Sequence, residues 1–444
     1  MELNHTSNES NMSCVLPHHI TEEQWIFYNA FTWWLEGFGS VLIGSMGIFF
    51  NITTIVVLLG GELATSFFNW LLVCLSVFDS LFLLNGILEA FRNHLGLGTD
   101  LHDYIFVVFL FPFRSIVMCC STYTTVILAL ERYNALVRPI SHQSQGLRSG
   151  KQSLKNYFCV HWTRLLKYVA PILILATLFY IPKRLEIELA TKEWCDENDT
   201  KKENCTLENE IVLTELRSNN HYILWYQNVS NLLITAVIPL VSLIYLNLNI
   251  YLKFKQYLQR QPLTVSSTSK VSLNLAQEKI RKREKDMIQQ TMILFAIVIL
   301  FGIFHILRII LNIEEFASHD NNNIAKNMGC DWLQYWTIIA APVSHLLLQI
   351  NSSINFFIYC FFNKHFRDEL VSRLASISSV FKTNREFTTD IVTNIPNRHT
   401  HRAPNNTRTT IVTTYPKTAR SQNGKPDTVE AVELNDIRTV ICDE

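Results

Sequence analysis

The residues of this chain that could do chemistry are ionisable and amide side chains that interrupt apolar stretches. Asp79 lies within one such stretch, and Glu131 with Arg132 ends another. Asn51 and Asn355 lie in two more. These groups are costly in hydrocarbon, so each needs a partner or a role. One such residue often only satisfies neighbouring backbone, whereas several in successive apolar segments predict a functional set.

The sequence contains none of the residue sets typical of an enzyme. It has no His/Cys cluster with metal-ligand spacing, no P-loop and no Gly-x-Ser-x-Gly motif. We therefore expect no catalytic residues and no resident cofactor. Lys+Arg and Asp+Glu both number 38, so the net charge does not predict a nucleic-acid partner.

The elements that must position these residues are long apolar segments. Hydrophobic residues make up 48% of the 444 residues and charged residues only 17%, which is too apolar for a soluble multidomain protein. A helix needs about 20 mostly apolar residues to cross the hydrocarbon core of a membrane. An all-α membrane protein, a seven-transmembrane helix bundle, is therefore predicted. Its spans are expected at about 38–61, 65–90, 104–130, 166–183, 223–252, 287–313 and 334–361.

Basic residues predict the orientation of the bundle. They are concentrated after the third span and between the fifth and sixth spans, which is typical of cytoplasmic loops. The N-terminus is then extracellular, and we expect a multi-pass protein of the plasma membrane. Asn-X-Ser/Thr sequons on the outer side predict glycosylation at Asn4, Asn8, Asn11, Asn198 and Asn204.

The chain divides into four regions. Residues 1–37 are predicted to be a glycosylated extracellular N-terminus, and residues 38–362 the transmembrane domain. In residues 363–376 apolar residues recur near helical spacing among charged ones, which predicts a short amphipathic cytoplasmic helix. Residues 377–444 are rich in Thr, Asn, Arg and Pro without periodicity, which is typical of a disordered tail.

These features resemble the rhodopsin-like (class A) G-protein-coupled receptors over about residues 38–376. The matching motifs are an Asn in the first span, an Asp in the second, Glu-Arg-Tyr at 131–133 and Pro239 in the fifth. The stretches Asn351–Cys360 and Tyr180–Lys183 are similar to invertebrate neuropeptide receptors of the FMRFamide and myosuppressin type.

The resemblance implies a receptor for an extracellular neuropeptide, an amidated peptide of the Arg-Phe-amide kind, that signals through heterotrimeric G proteins. Phosphorylated hydroxyls of the tail would recruit arrestin, and membrane lipids would surround the bundle. Two alternatives stay open: the same fold with a lipid or other small ligand, and a seven-span channel or transporter. Acidic residues at the outer rim favour a peptide over a lipid, and the basic loops oppose an inverted topology.

The sequence departs from the family pattern in the fifth, sixth and seventh spans. Phe356 replaces the usual Pro of the seventh span, and Asn247 replaces the Tyr expected in the fifth. In the sixth span, His305 and Leu307 stand where the family has Trp and Pro. We therefore expect the fold of the family but an altered activation geometry.

The resemblance implies an ion site around Asp79. One carboxylate and several neutral oxygens suit a hard cation such as Na⁺, acting as an allosteric ion. A hydrogen-bonded network without an ion is the alternative. The implied ligands are Asp79, Ser121, Asn351, Ser352 and Asn355.

The resemblance also assigns residues to activation. Arg132 is expected to pair with Glu131 at rest and to face the G protein when active. The implied set is Asn51, Glu131, Arg132, Tyr133, Asn355 and Tyr359.

The ligand is expected at the outer ends of the spans. Arg114 lies about five helical turns above Arg132 and would repel a cationic amine, which argues against a monoamine ligand. Glu89 either pairs with Arg114 or binds an arginine of the ligand, and Glu186 is an acid of the rim, where solvated side chains are usual. The predicted ligand-binding residues are Glu89, Arg114, Glu186, His305, Arg308, His345 and Gln349.

Four cysteines fall on the predicted outside and allow three pairings. The family's disulfide joins the third span to the second outer loop, but Val107 occupies its expected third-span position. We favour Cys195 with Cys205 as a local loop, and Cys14 with Cys330 as a link from the N-terminus to the third outer loop.

Overall fold

The molecule is a bundle of membrane-spanning helices. The computed structural model describes residues 21–137, 154–195, 205–259, 270–318, 334–376 and 378. Six helices are long and apolar enough to cross a membrane, and a bent helix pair forms a seventh span. The seven-transmembrane prediction is therefore confirmed. In chain order the spans are Glu22–Leu58, Phe67–Asn93, Asp100–Ala135, Val160–Leu185, Asn220–Lys253, Ile288–Ala317, and Tyr335–Ser353 with Asn355–Phe362.

Several spans belong to longer or locally wider helices. The fourth lies on the helix Leu154–Tyr180 and the sixth on Lys270–Ala317, a helix of 48 residues. No proline interrupts this sixth-span helix, in keeping with Leu307 at the usual proline position. Wider π-helical turns occur at Trp33–Gly39, Phe106–Leu110, Ile223–Ser230 and Leu233–Val237.

The first helix begins earlier than the predicted start of its span at residue 38. Thr21 and Gln24 form a capping box, in which each side chain accepts from the backbone N–H of the other residue. Two hydrogen bonds thereby satisfy N–H groups that a helix start leaves unpaired. The helix that starts at Glu22 consequently includes much of the region expected to be a separate N-terminal segment.

The seventh span bends by 40° at Ile354 without a proline. The hydroxyl of Ser353 donates to the carbonyl oxygen of Gln349 at 2.8 Å. Back-bonding of this kind often bends helices. The bend places Asn355 at the start of a new helical segment, although Phe356 occupies the position where the family has proline.

A β-hairpin lies between spans four and five and was not anticipated. Strands β1 (Ile187–Cys195) and β2 (Cys205–Leu213) are antiparallel, with Ile187 opposite Leu213 and Cys195 opposite Cys205. Ile187 is buried against Phe106, Val107 and Leu110 at the start of span three. The hairpin therefore covers the outer part of the third span.

The core is most tightly closed in the inner half of the bundle. Leu71, Leu72, Leu128, Leu243 and Ile293, from four different spans, are fully buried in one cluster. A helix at 364–376 follows the seventh span, close to the predicted amphipathic helix.

The start of this last helix is fixed by a cap and by one aromatic side chain. Asn363 Oδ1 accepts from the backbone N–H of Phe366 at 3.0 Å. The ring of Phe366 is fully buried and contacts the rings of Phe356 and Tyr359.

Candidate functional site

The polar centre of the bundle is built around Asp79, whose side chain is buried. Asp79 Oδ1 accepts from the hydroxyl of Ser121 at 2.7 Å, and Oδ2 accepts from Nδ2 of Asn355 at 2.8 Å. Spans two, three and seven are thereby joined through one carboxylate. Because Asn355 directly follows the bend of the seventh span, its side chain can reach Asp79 from the second helical segment.

A small cavity of about 20 Å³ adjoins this carboxylate. Such a volume accommodates a single water molecule or an ion of similar size. His305 and Phe301 of span six also line it. The five residues expected to bind a cation all border this cavity: Asp79, Ser121, Asn351, Ser352 and Asn355.

Asn51 connects the first span to the same centre. Its Nδ2 donates to the backbone carbonyl of Ser352 at 3.1 Å, while its Oδ1 is buried without a partner. The hydroxyl of Tyr359 is likewise buried without a hydrogen bond. Unsatisfied buried polar atoms are uncommon in proteins, so the neighbourhood of these atoms is suited to ordered water.

The inner end of span three differs from the expected arrangement of Glu131 and Arg132. Both carboxylate oxygens of Glu131 accept from Nη2 of Arg164, at 3.1 and 3.2 Å. Arg132 instead donates to Oε1 of Gln290 in span six, and its guanidinium carbon lies 4.1 Å from the ring centre of Phe68. The expected Glu131–Arg132 pair is therefore wrong for this conformation, because Arg164 of span four occupies the carboxylate.

Arg164 was not singled out in the sequence because it lies among several basic residues after the third span. Its guanidinium carbon lies 4.1 Å from the ring centre of Phe67. The neighbouring phenylalanines Phe67 and Phe68 thus each face one arginine. Tyr133, also predicted to take part in activation, is half-buried beside the inner core.

An open groove of about 680 Å³ lies at this inner end. Its lining comes from the start of span two, the lower part of span six and the helix after span seven. Gln290, the partner of Arg132, is one of its walls. Polar side chains of Asn69, Gln289, Asn363 and Asp368 also line it.

At the outer end, Glu89 and Arg114 form the ion pair that the sequence offered as one of two alternatives. Arg114 Nη1 donates to Oε2 of Glu89, and both side chains are partly buried. Asn85, one turn from Glu89, donates to the backbone carbonyl of Leu110 at 2.9 Å and holds spans two and three together. The acid of span two is therefore engaged within the protein.

The expectation that Glu186 is a solvated rim acid is wrong. Glu186 is only 2% exposed, and its Oε1 accepts from the hydroxyl of Tyr222 at 3.0 Å. It is buried because the adjacent Ile187 anchors the hairpin against span three. Glu188 and Glu315 are exposed, as rim acids usually are.

His345 and Gln349 of span seven face span one rather than the Glu89–Arg114 pair. His345 Nδ1 lies 2.6 Å from Oε1 of Glu36, and Gln349 donates to the hydroxyl of Ser40 at 3.0 Å. The other oxygen of Glu36 lies 3.4 Å from Nε2 of His94. Glu36 was missed because the sequence placed it just before the first span.

His305 and Arg308 lie one helical turn apart on span six. The ring of His305 is buried, stacks on Phe301 with centroids 3.8 Å apart, and has its Nδ1 2.9 Å from the Phe301 carbonyl oxygen. Arg308 Nη1 lies 2.9 Å from Sδ of Met118 in span three. Met118 also lines the Asp79 cavity, so Arg308 contacts a residue at the upper wall of that cavity.

Several predictions fall on parts of the chain that the structure does not describe. Cys195 and Cys205 belong to the described strands and are opposite in register, and their disulfide stays a prediction. The free thiols among the described residues are those of Cys74, Cys119, Cys120 and Cys360. Outside the described residues lie Cys14, Cys330, Asn4, Asn8, Asn11, Asn198 and Asn204.

Comparison with known proteins agrees with the helical architecture. The sequence model of the family described as 7 transmembrane receptor (rhodopsin family) matches residues 50–359. A curated relative, the FMRFamide receptor of Drosophila melanogaster, is 24% identical over 347 residues, which are 76% of this chain and 53% of that protein. The chain spans about half the length of this relative.

Proposed function

Because the chain belongs to the rhodopsin family of seven-transmembrane receptors, we propose that it is a G-protein-coupled receptor for an extracellular neuropeptide. The peptide is an amidated one of the Arg-Phe-amide kind. The proposal places the receptor in the plasma membrane with its N-terminus outside, as the basic loops favour. Signalling passes to heterotrimeric G proteins.

The observation that carries this proposal is the inner groove beside Arg132. Its volume of about 680 Å³ is within the usual size of a binding pocket, and a partner helix can enter a groove of this kind. Gln290 both lines the groove and accepts from Arg132. Entry of a G-protein segment would separate these two residues and release the guanidinium towards the partner.

The peptide part of the proposal rests on the relative and on the outer surface. The curated relative is named for FMRFamide, a peptide with an amidated Arg-Phe end. The β-hairpin over span three and the Glu89–Arg114 pair supply hydrogen-bonding and charged groups at the outer end. Such groups suit a peptide better than a lipid, whose recognition needs mainly apolar surface.

The proposal extends to Na⁺ as an allosteric ion at Asp79. The cavity of about 20 Å³ and its carboxylate, hydroxyl and amide lining support this extension. When bound, the ion would supply positive charge to balance Asp79. The residues that would hold it are Asp79, Ser121, Asn351, Ser352 and Asn355.

Two further partners belong to the same proposal. Side chains of span four such as Ile174, Leu175 and Leu178 are more than half exposed on the isolated chain, so they would contact membrane lipids. Arrestin would bind phosphorylated Thr and Ser residues of the tail. These tail residues lie outside the described part of the chain.

The test combines a ligand screen with a coupling variant. Cells that express the full chain are screened with amidated neuropeptides, Arg-Phe-amide types first, by a second-messenger readout. With an active peptide, Arg132→Ala should abolish the response yet keep surface expression and peptide binding. Arg184→Ala is the control, because Arg184 lies at the outer end of span four, away from the groove and from Arg132.

Two results would overturn the proposal. Full signalling by a well-expressed Arg132→Ala receptor would remove the assigned coupling mechanism. A screen in which amidated peptides do nothing while a lipid activates the receptor would remove the peptide assignment.

A further inference from the structure

Two basic side chains at the outer end have no acidic partner among the described residues. Arg308 has one polar contact, Nη1 to Sδ of Met118 at 2.9 Å. Thioether sulfur is a weak acceptor. The ammonium of Lys183 lies 5.2 Å from the ring centre of Phe111 and makes no ion pair with a described residue. An unpaired charge inside a membrane bundle is expensive, which makes it a candidate binding group.

The acids near these two residues are already engaged or exposed to solvent. Glu89 is held by Arg114, and Glu186 accepts from the hydroxyl of Tyr222. Glu315 is on the exposed surface. No described carboxylate contacts Arg308 or lies within ion-pair distance of Lys183.

The charges that act on Lys183 and Arg308 are mostly positive. Lys183 is within electrostatic range of three cations, Arg308, Arg114 and Arg217, and of two acids, Glu186 and Glu315. Arg308 is also repelled by Arg114. The outer end of the bundle around Arg308 and Lys183 therefore has an excess of positive charge, since four cations face three described acids, Glu89, Glu186 and Glu315.

We propose that these two basic side chains bind a carboxylate of the ligand, with Arg308 as the principal contact and Lys183 as a second source of attraction. This inference rests on the proposed receptor function and deepens it by naming the chemistry of the ligand. A guanidinium fits a carboxylate with two parallel hydrogen bonds, which the sulfur of Met118 cannot provide. Both basic side chains are half-buried, so part of each stays exposed to an incoming group.

The contact between Arg308 and Met118 also couples ligand binding at the outer end to the Asp79 cavity at the centre of the bundle. Met118, which Arg308 contacts, lines the Asp79 cavity. A carboxylate that draws Arg308 away from Met118 would alter the upper wall of that cavity. The arginine of an Arg-Phe-amide peptide would then have to lie away from Arg308 and Lys183, or displace Arg114 from Glu89.

In an amidated peptide the carboxylate comes from an acidic side chain, whereas a free C-terminus would supply it only if the ligand is a peptide that is not amidated. Two matched pairs of small compounds distinguish these sources. N-acetyl-aspartate amide against N-acetyl-asparagine amide tests the side chain. N-acetyl-phenylalanine against its amide tests the C-terminus.

The experiment measures the melting temperature of the purified full-length receptor as each compound is titrated to saturation. We expect the acidic member of at least one pair to raise it by about 3 °C more than its neutral counterpart. Arg308→Gln should abolish that difference, and Arg308→Lys should keep part of it. Lys183→Gln should reduce it, whereas Arg184→Gln should not, because Arg184 is not among the charges that act on Lys183 or Arg308.

Equal shifts for acidic and neutral compounds in both pairs would overturn the inference. So would a difference that survives Arg308→Gln, since the carboxylate would then bind elsewhere. Each variant is compared with itself with and without compound, so a change in its basal stability does not affect the result. The measurement needs neither a known peptide nor a G protein, so it can succeed or fail independently of the proposed function.

Discussion

Span three carries two arginines that are held in different ways at the two ends of the bundle. Arg114, at the outer end, has a carboxylate partner in Glu89. Arg132, at the inner end, has an amide partner in Gln290 and the ring of Phe68, although its own neighbour Glu131 is an acid. Glu131 is occupied by Arg164. The amide of Gln290 carries no opposite charge, so the inner arginine has the weaker partner and is the easier to release.

This difference fits a division of tasks between the two ends. An ion pair at the outer end fixes spans two and three against each other. The amide and ring contacts of Arg132 at the inner end restrain span six more weakly, so less free energy is needed to break them. A receptor needs the second kind of contact where it must change conformation, because a switch requires two states only a few kcal/mol apart.

The largest effect is expected when the outer pair is broken on one side. Glu89→Gln leaves Arg114 without a charged partner, and the free energy of unfolding should fall by about 2 kcal/mol. The melting temperature of the purified receptor should drop by about 4 °C. The double variant Glu89→Gln/Arg114→Gln should regain part of this loss, because no unpaired charge remains. A double variant as unstable as the single one would contradict the comparison.

A smaller effect is expected when the inner contact is removed. Gln290→Ala frees Arg132 from span six, so the basal second-messenger signal should rise by about tenfold at equal surface expression. Met292→Ala is the control, since this side chain of the same helix is 48% exposed and does not line the groove. An unchanged basal signal in Gln290→Ala would show that the restraint on span six lies elsewhere.

The next effect concerns the Asp79 cavity, which lies between the two ends of the bundle. If Na⁺ binds at Asp79, exchanging Na⁺ for K⁺ at constant ionic strength should change agonist affinity by about fivefold. Asp79→Asn should remove this dependence, because the carboxylate is the charged ligand of the cavity. Radioligand or fluorescent-peptide binding measures it. If agonist affinity in the unmodified receptor is the same in Na⁺ and in K⁺, Asp79 belongs to a hydrogen-bonded network without an ion.

The smallest effect is expected at Glu131. Because its carboxylate pairs with Arg164 and not with Arg132, Glu131→Gln should change basal signalling by less than about twofold. A basal signal that instead rises as much as in Gln290→Ala would mean that Glu131 restrains Arg132 in the resting receptor. The same second-messenger assay decides between these outcomes.

The sequence was sufficient for features that depend on local patterns. The lengths of apolar runs predicted seven spans, and the structure has them. The resemblance to the rhodopsin-like receptors, drawn from a few polar residues, is confirmed by the family match over residues 50–359. The residues expected around Asp79 do line one cavity, where spans two, three and seven meet.

Features that depend on the rotation and exact ends of helices were not predictable. Arg164 lies in a run of basic residues that could face solvent or lipid headgroups, and only the packing of span four against span three brings it to Glu131. Glu36 was placed outside the first span because the capping box at Thr21 was not recognised. The burial of Glu186 follows from a hairpin whose anchoring residue, Ile187, has no distinctive local signal.

The length of the first helix has a consequence for how the receptor is seated in lipid. Its 37 residues extend for about 55 Å, whereas the hydrocarbon core of a bilayer is about 30 Å thick. Trp33 and Trp34 are 40% and 59% exposed where this helix would leave the hydrocarbon, and indole rings favour the headgroup level. These rings would hold the first helix at a fixed depth in the bilayer. Glu36 lies on the same helix within one turn of these rings. The position of its cluster with His94 and His345 along the membrane normal would therefore follow the headgroup level of the bilayer.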